Sequence, residues 1–289
     1  MNLKLRTNSQ FTIDNSQLNI TGSKSETNRL LLLQALFPNI TLTNTSNSDD
    51  SEVMQKALKG NEEIVDIHHA GTAMRFLTAF FAVNEGREVV LTGSQRMTER
   101  PIKVLVEALE QLGAKISYEN EVGYPPIQIK GQKITASKVS IPANVSSQYI
   151  SALLLVAPKL ENGIEITLVG EITSVPYIKM TLALLNDLDV KTSFEGNVIS
   201  VYPKQEVASK IMTVESDWSS ASYFFSLVAL AKSASISLTS YKETSLQGDS
   251  ALIEIYKQMG VATHFENNKM TLVKQTGFEP KNLKLELNN

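Results

Sequence analysis

Cysteine is absent from this 289-residue chain. Its absence excludes a disulfide framework, thiolate metal ligands and a thiol nucleophile, and it agrees with a cytoplasmic location. Long apolar runs are missing as well. The longest, such as ISALLLVAP (150–158), fall far short of the ~20 residues that span a bilayer. The opening MNLKLRTNSQ has no apolar centre of the signal-peptide kind. We therefore expect a soluble protein without a membrane role. Charge of one sign is also lacking. A balance of 27 Lys and Arg against 30 Asp and Glu leaves a net charge of −3, which excludes a global nucleic-acid-binding field. Histidine numbers three. His68 and His69 are adjacent, but neighbours on a strand point to opposite faces. No carboxylate cluster at metal spacing accompanies them, so no metal is expected. The acidic NSDDSE (47–52) reads as the capping start of a helix rather than a magnesium site.

What the chain does have is size and repetition. Its length suggests two domains, and 42% apolar residues suffice for substantial cores. LGAKISYEN (112–120), LDVKTSFEG (188–196) and MGVATHFEN (259–267) share one pattern, starting 76 and 71 residues apart. Upstream of each lies a second matching segment: AGTAMRFLTAFFA (70–82), VSSQYISALLLVA (145–157) and WSSASYFFSLVALA (218–231). Each opens with small polar residues and continues as a helix apolar on most faces. Strands are expected between the two markers, at REVVLTG (87–93), GIEITLVG (163–170) and ASISLTS (234–240). A second, amphipathic helix follows. In RPIKVLVEALEQLG, Ile102, Leu105, Val106, Leu109 and Leu112 recur at helical spacing, with Lys103, Glu107 and Glu110 on the wet face. Pro101 suits the first turn and Gly113 the position past the end, with Pro176 and Gly260 in the same parts later. The stretch 22–69 reads as a fourth, less regular copy that ends in the strand IVDIHH. The apolar helices are expected to cluster inside, with amphipathic helices and sheets outside.

Each apolar helix begins with small polar residues: SKSETN, AGTAM, VSSQY and DWSSAS. Such residues are ordinary N-caps, contributing about 1 kcal/mol each. A helix N-terminus is also a ready anion site, because its N–H groups are unpaired and its dipole end is positive. The cations favour the second use. Lys24, Arg29, Arg75, Arg96 and Arg100 all fall at or near inner-helix starts or in the loop GSQRMTERP. Planar, bidentate anion recognition explains arginine over lysine. Lys24 differs, being a compact charge able to change protonation when desolvated.

GSKSETNR, AGTAMR, LTGSQRMTERP, VSSQYISALL, SVPY, DWSSASYF and QGD occur here in one order. In these motifs, over essentially its whole length, the chain resembles the bacterial 5-enolpyruvylshikimate-3-phosphate (EPSP) synthase family. The resemblance implies an α/β fold, the inverted-barrel enolpyruvyl transferase fold. That fold has two domains, each of three βαβαββ repeats around buried parallel helices, with a ligand cleft between them. It also implies transfer of the enolpyruvyl group of phosphoenolpyruvate to the 5-hydroxyl of shikimate 3-phosphate, without metal or organic cofactor. By position, Lys24 would touch both substrates and help to move protons. Ser25 and Arg29 would hold the shikimate carboxylate. Ser146, Ser147 and Ser174 would bind the shikimate phosphate, with Tyr177 against the ring. Gly71, Arg100 and Gln148 would hold phosphoenolpyruvate, with Gln148 also reaching shikimate 3-phosphate. Thr72 and Arg75 are expected to shape that pocket.

The chain departs from the family in places. His69 stands where Asn is usual, Phe76 where Pro is usual, Val175 where Lys is common, and Trp218 replaces a small residue. The family also continues beyond LKLELNN into two further repeats that carry an aspartate base and more phosphoenolpyruvate ligands. On this comparison, 22–213 is expected to be a complete three-repeat domain, and 1–21 with 214–289 part of a second. A chain truncated in this way is expected to bind shikimate 3-phosphate weakly and to turn over negligibly. It is also open to self-association, whereas the intact enzyme is expected to be a monomer. Two alternatives remain: a non-catalytic anion-binding fragment, and a relative of the UDP-N-acetylglucosamine enolpyruvyl transferases. The second typically uses a loop cysteine, which this chain lacks.

Overall fold

The structure, a computed structural model, describes residues 12–172 and 175–278. In chain order the elements are β1 (Thr12–Leu18), α1 (Lys24–Leu36), β2 (Ile40–Thr43), α2 (Asp49–Lys59), β3 (Ile64–Asp66), α3 (Gly71–Val83), β4 (Glu88–Thr92), α4 (Gln95–Thr98), α5 (Lys103–Gln111), β5 (Lys115–Tyr118), β6 (Ile127–Lys130) and β7 (Lys138–Pro142). Then follow α6 (Ser147–Val156), β8 (Ile164–Val169), α7 (Val175–Asp187), β9 (Thr192–Glu195), β10 (Val198–Val201), β11 (Lys210–Thr213), α8 (Trp218–Leu230), β12 (Ser233–Thr239), α9 (Leu252–Lys257), β13 (Val261–Glu266) and β14 (Lys269–Lys274). Two compact units result: a larger one within residues 24–214, and a smaller one formed by 12–23 with 215–278.

The larger unit holds two four-stranded sheets of identical order, β3-β4-β6-β5 and β7-β8-β10-β9. In each, the first two strands are parallel and the rest antiparallel. Parallel neighbours need a crossover, and α3 and α6 supply it. A third, two-stranded sheet pairs β2 with β11 in parallel. One sequence expectation is corrected here. IVDIHH does not close the first copy, because Ile64–Asp66 pairs in parallel with β4 and opens the next sheet. Its alternation explains this. Val65 and Ile67 turn into the core while Ile64 stays exposed, so the strand belongs to whichever sheet can cover that face.

Burial follows apolar spacing. The inner helices α1, α3 and α6 pack on one another and bury Leu30, Leu32, Phe76, Leu77, Ile150 and Leu153 completely. Each such side chain contributes roughly 1.5–3 kcal/mol by leaving water. In α5, Leu105, Val106 and Leu109 are buried while Lys103, Glu107 and Glu110 remain exposed. Past the outer helices, Gly113, Asp189 and Gly260 have φ of +100°, +55° and +78°. The same left-handed stop therefore recurs, once without glycine. Pro101 lies just outside α5, whose cap is Ile102. The Pro101 carbonyl accepts bonds from Tyr149 Oη and Arg75 Nη2, so the residue anchors a loop rather than starting a helix.

The smaller unit carries one sheet, β1-β12-β14-β13. It has the same order, with β1 parallel to β12. Helix α8 buries Trp218, Ala221, Phe225 and Val228 against this sheet, but Tyr223 and Leu230 remain 73% and 56% exposed, in line with Leu227. Unlike the inner helices of the larger unit, α8 keeps an uncovered apolar stripe. Trp218 donates from Nε1 to Glu215 Oε1 at 2.9 Å and meets Tyr241 edge-on at 5.2 Å.

Tyr241 is fully buried, with its hydroxyl on the Asp217 carbonyl. Burial, then Asp217 and Glu215, push its phenol above the ordinary value of 10. Tyr118 is pushed up to about 12 by burial, then by Glu110 and Glu107. The unfolded chain therefore releases these protons first. Stability present below about pH 10 falls as pH rises past it. Urea unfolding followed by circular dichroism should show this fall, and Tyr241→Phe should make it shallower.

Candidate functional site

Within the larger unit the first turns of α3 and α6 are tied together, and α1 is tied to α6 one turn further in. Gln148 Nε2 donates to Thr72 Oγ1 at 3.2 Å, joining the starts of α6 and α3. Tyr149 Oη donates to the Pro101 carbonyl at 2.7 Å, joining α6 to the loop that carries Arg100. Arg29 on α1 donates from Nε to Thr181 Oγ1 on α7 at 2.8 Å, and from Nη2 to Ser151 Oγ on α6 at 3.1 Å. Ser46 and Ser51 bond back to Thr27 Oγ1 and Asn28 Oδ1, fixing the start of α2 to α1. The starts of α3 and α6 thus sit side by side, and helix starts are where an anion is favoured.

The five cations divide into two kinds. Arg29 and Arg75 face inward, at 2% and 4% exposure. Each reaches back one turn to a carbonyl at its helix start, Arg29 Nη1 to Ser25 at 2.7 Å and Arg75 Nη1 to Gly71 at 3.0 Å. Arg29 also lies over the Phe76 ring at 5.4 Å, and Arg75 over Tyr149 at 5.7 Å. Burial lowers Arg29 to about 10 against the attraction of Tyr177 and Glu26. Burial lowers Arg75 too, opposed by Tyr149 and reinforced by the repulsion of Arg100. Both guanidiniums act as ties between elements. Lys24, Arg96 and Arg100 face outward. Lys24 Nζ stands 3.9 Å from Asp50 with its side chain 48% exposed, a pairing that water screens heavily.

Arg100 lies directly over Gly71. A Cβ placed there would come within 2.6 Å of Arg100 Nη1, so glycine is what lets a guanidinium approach this helix start. Beside it opens a cavity of about 470 Å³ lined by His69, Arg96, Met97 and Arg100. Ser146 caps α6, accepting from the Gln148 amide at 3.4 Å. Ser147 is buried at the first position of that helix. Tyr177 sits exposed in the first turn of α7. Ser174 lies outside the described residues. Among the described residues, no three His, Asp or Glu side chains gather as metal ligands, and no helix is long and apolar enough to cross a membrane.

Sequence reasoning missed Ser151, Thr181 and Tyr149. Their signal was a hydroxyl on an otherwise apolar helix, one turn past Ser147, Tyr177 and Val145. Such a group is buried only where a donor or acceptor meets it.

The EPSP synthase (3-phosphoshikimate 1-carboxyvinyltransferase) family model matches residues 56–287. A 3-phosphoshikimate 1-carboxyvinyltransferase of Bacteroides fragilis (strain YCH46) is 43% identical over 258 residues, covering 89% of this chain and 63% of the relative. One from Histophilus somni (strain 2336) is 38% identical over 275 residues, covering 84% and 63%. The chain thus spans less than two thirds of the length of these curated relatives. The solved structure of EPSP synthase from Acinetobacter baumannii superposes with a TM-score of 0.73 at 21% identity, covering 94% of this chain and 66% of that one. That likeness establishes the fold.

Arg29→Lys keeps the charge but loses the planar fork, leaving Ser151 and Thr181 short of a donor. We expect a loss of about 2–4 kcal/mol, read by chemical denaturation. Ser151→Ala and Thr181→Ala should each cost less, and their effects should be non-additive with Arg29→Lys in a double-mutant cycle.

Proposed function

The chain belongs to the EPSP synthase family, and from that premise we propose that it carries substrate-binding machinery for enolpyruvyl transfer from phosphoenolpyruvate to shikimate 3-phosphate. The observation that supports this most is the meeting of the α3 and α6 starts beside Arg100, which lies over Gly71 and, among the described residues, has no hydrogen-bond or ion-pair partner. Both substrates carry a phosphate and a carboxylate, and amide-rich helix ends with outward cations suit them. In the reaction, C3 of the enol takes a proton and the 5-hydroxyl oxygen bonds to C2 as its own proton leaves. The tetrahedral adduct then loses phosphate from C2 and a proton from C3. Lys24, weakly held by Asp50, is free to turn to the ligands and move protons. Ser146 and Ser147 at the start of α6 receive the shikimate phosphate together with Ser174, and Tyr177 lies against the ring. Ser25 and Arg29 meet the shikimate carboxylate. Gly71, Thr72, Arg100 and Gln148 hold phosphoenolpyruvate. No metal or organic cofactor enters this reading. Residues 22–213 form its complete three-repeat domain, with 1–21 and 214–289 part of a second. A cytoplasmic location and a monomeric intact enzyme go with it.

Isothermal titration calorimetry tests the proposal. Shikimate 3-phosphate should bind the chain, and phosphoenolpyruvate should bind more tightly in its presence. Ser147→Ala should weaken shikimate 3-phosphate about tenfold. Arg100→Gln should weaken phosphoenolpyruvate at least about tenfold and leave shikimate 3-phosphate unchanged. A chain that ignores both ligands, or prefers UDP-N-acetylglucosamine, overturns the reading.

A further inference from the structure

The sheet of β2 and β11 has two strands where its neighbours in the larger unit have four. After α5 the chain forms the hairpin β5–β6, and after α7 the hairpin β9–β10. After α2 only residues 60–63 precede β3, which joins another sheet. β2 lies parallel to β11 as β4 does to β3 and β8 to β7. β4 and β8 each have a second, antiparallel neighbour, and among the described residues β2 has none. The Asn39 and Thr43 carbonyls accept the Lys210 and Val214 amides, so backbone alternation turns the N–H and C=O of Ile40 and Leu42 to the open edge. Gln34 Nε2 donates to the Ile40 carbonyl at 2.9 Å, filling one edge acceptor with a side chain. The edge sequence Ile40–Thr43 has none of the charges, prolines or bulges that guard an open strand. Helix surface is left bare as well. β6 packs on α3 and β5 on α5, whereas a groove of about 380 Å³ opens between α1, α2 and α3, lined by Leu31, Ala35, Leu58 and Phe80. Gln34 lines it too, so groove and edge adjoin. The exposed Lys59 is its only charged lining residue, and Glu62 lines a separate cavity with Lys56.

We propose that the β2 edge and this groove form a docking site for an extended peptide segment of another protein, apolar at alternate residues and bearing a carboxylate, which adds to β2 as an antiparallel strand. Orientation follows from β4 and β8, whose neighbours on the corresponding side run antiparallel. Ile40 is buried, and Leu42, two residues on, shares its face. Opposite residues of an antiparallel pair lie on one face, so the residues that bond to Leu42 and Ile40 send their side chains inward, toward the groove. Main-chain bonds then supply affinity and the groove supplies selection, as in other strand-addition sites. Charge complementarity identifies the partner's chemistry. Lys59 calls for a carboxylate, and a second copy pairing through its own β2 would bring Ile40–Thr43, which carries no acid. None of these residues belongs to the proposed substrate site.

The test titrates the whole chain calorimetrically with a short blocked peptide in which valine and threonine alternate between terminal glutamates. This peptide should bind. N-methylation at its valines, which removes the amides aimed at β2, should weaken binding at least about tenfold. Replacing its glutamates by glutamine should weaken binding about three- to fivefold, and Lys59→Glu should do the same to the parent peptide. Both of these losses should shrink in high salt. Lys59 is exposed, so the thermal midpoint of Lys59→Glu should match the parent chain and separate lost contact from misfolding. Ala35→Glu, which fills the groove with a like-charged group, should abolish binding. A chain that ignores the peptide overturns the proposal, whether or not sedimentation shows it pairing with itself. Equal binding of the N-methylated peptide also overturns it, because the groove would then take apolar acids without strand addition. Unchanged binding by Lys59→Glu removes the acidic partner and sinks the proposal as stated.

Discussion

A guanidinium buried among hydroxyls holds the larger unit in register. Arg29 joins α1 to α6 through Ser151 and to α7 through Thr181, while its third nitrogen closes on the Ser25 carbonyl. Burying such a charge is costly unless every contact is made. Once made, the contacts specify a single arrangement of three helices, because no other phase of α1 returns all three acceptors. The helix starts around it are fixed as a consequence, and so is the field their amides create.

The same device occurs on α3. Arg75 bonds back to Gly71 and across to Pro101, with Tyr149 against its face. These two arginines thus brace the frame, while Lys24, Arg96 and Arg100 are the cations that face outward. This division has an electrostatic effect. Arg75, against Met97 of the cavity lining, keeps positive charge just beneath it, where burial leaves that charge screened little by salt.

Much of the fold was legible in the chain. The spacing in α5 named its buried face residue by residue. The recurrence of LGAKISYEN, LDVKTSFEG and MGVATHFEN marked the hairpin strands β5, β9 and β13, because a left-handed stop followed by alternation has few other uses. The partner of Ile64–Asp66 was not legible, since a three-residue strand carries too little pattern to choose its sheet. The inward turn of Arg29 was present but unread. It follows Ser25 by four residues, so it shares that residue's face rather than that of Lys24. Arg75 follows Gly71 in the same way. The cavity at His69 depends on two turns meeting across some 25 residues of chain, and local sequence does not encode that encounter.

The uncovered stripe of α8 has a bearing on how this polypeptide behaves in a tube. Tyr223, Leu227 and Leu230 present oily surface to solvent, and water's aversion to such surface weakens on cooling and strengthens in sulfate. Whatever such a stripe touches, its hold is expected to loosen in the cold and to tighten in sulfate.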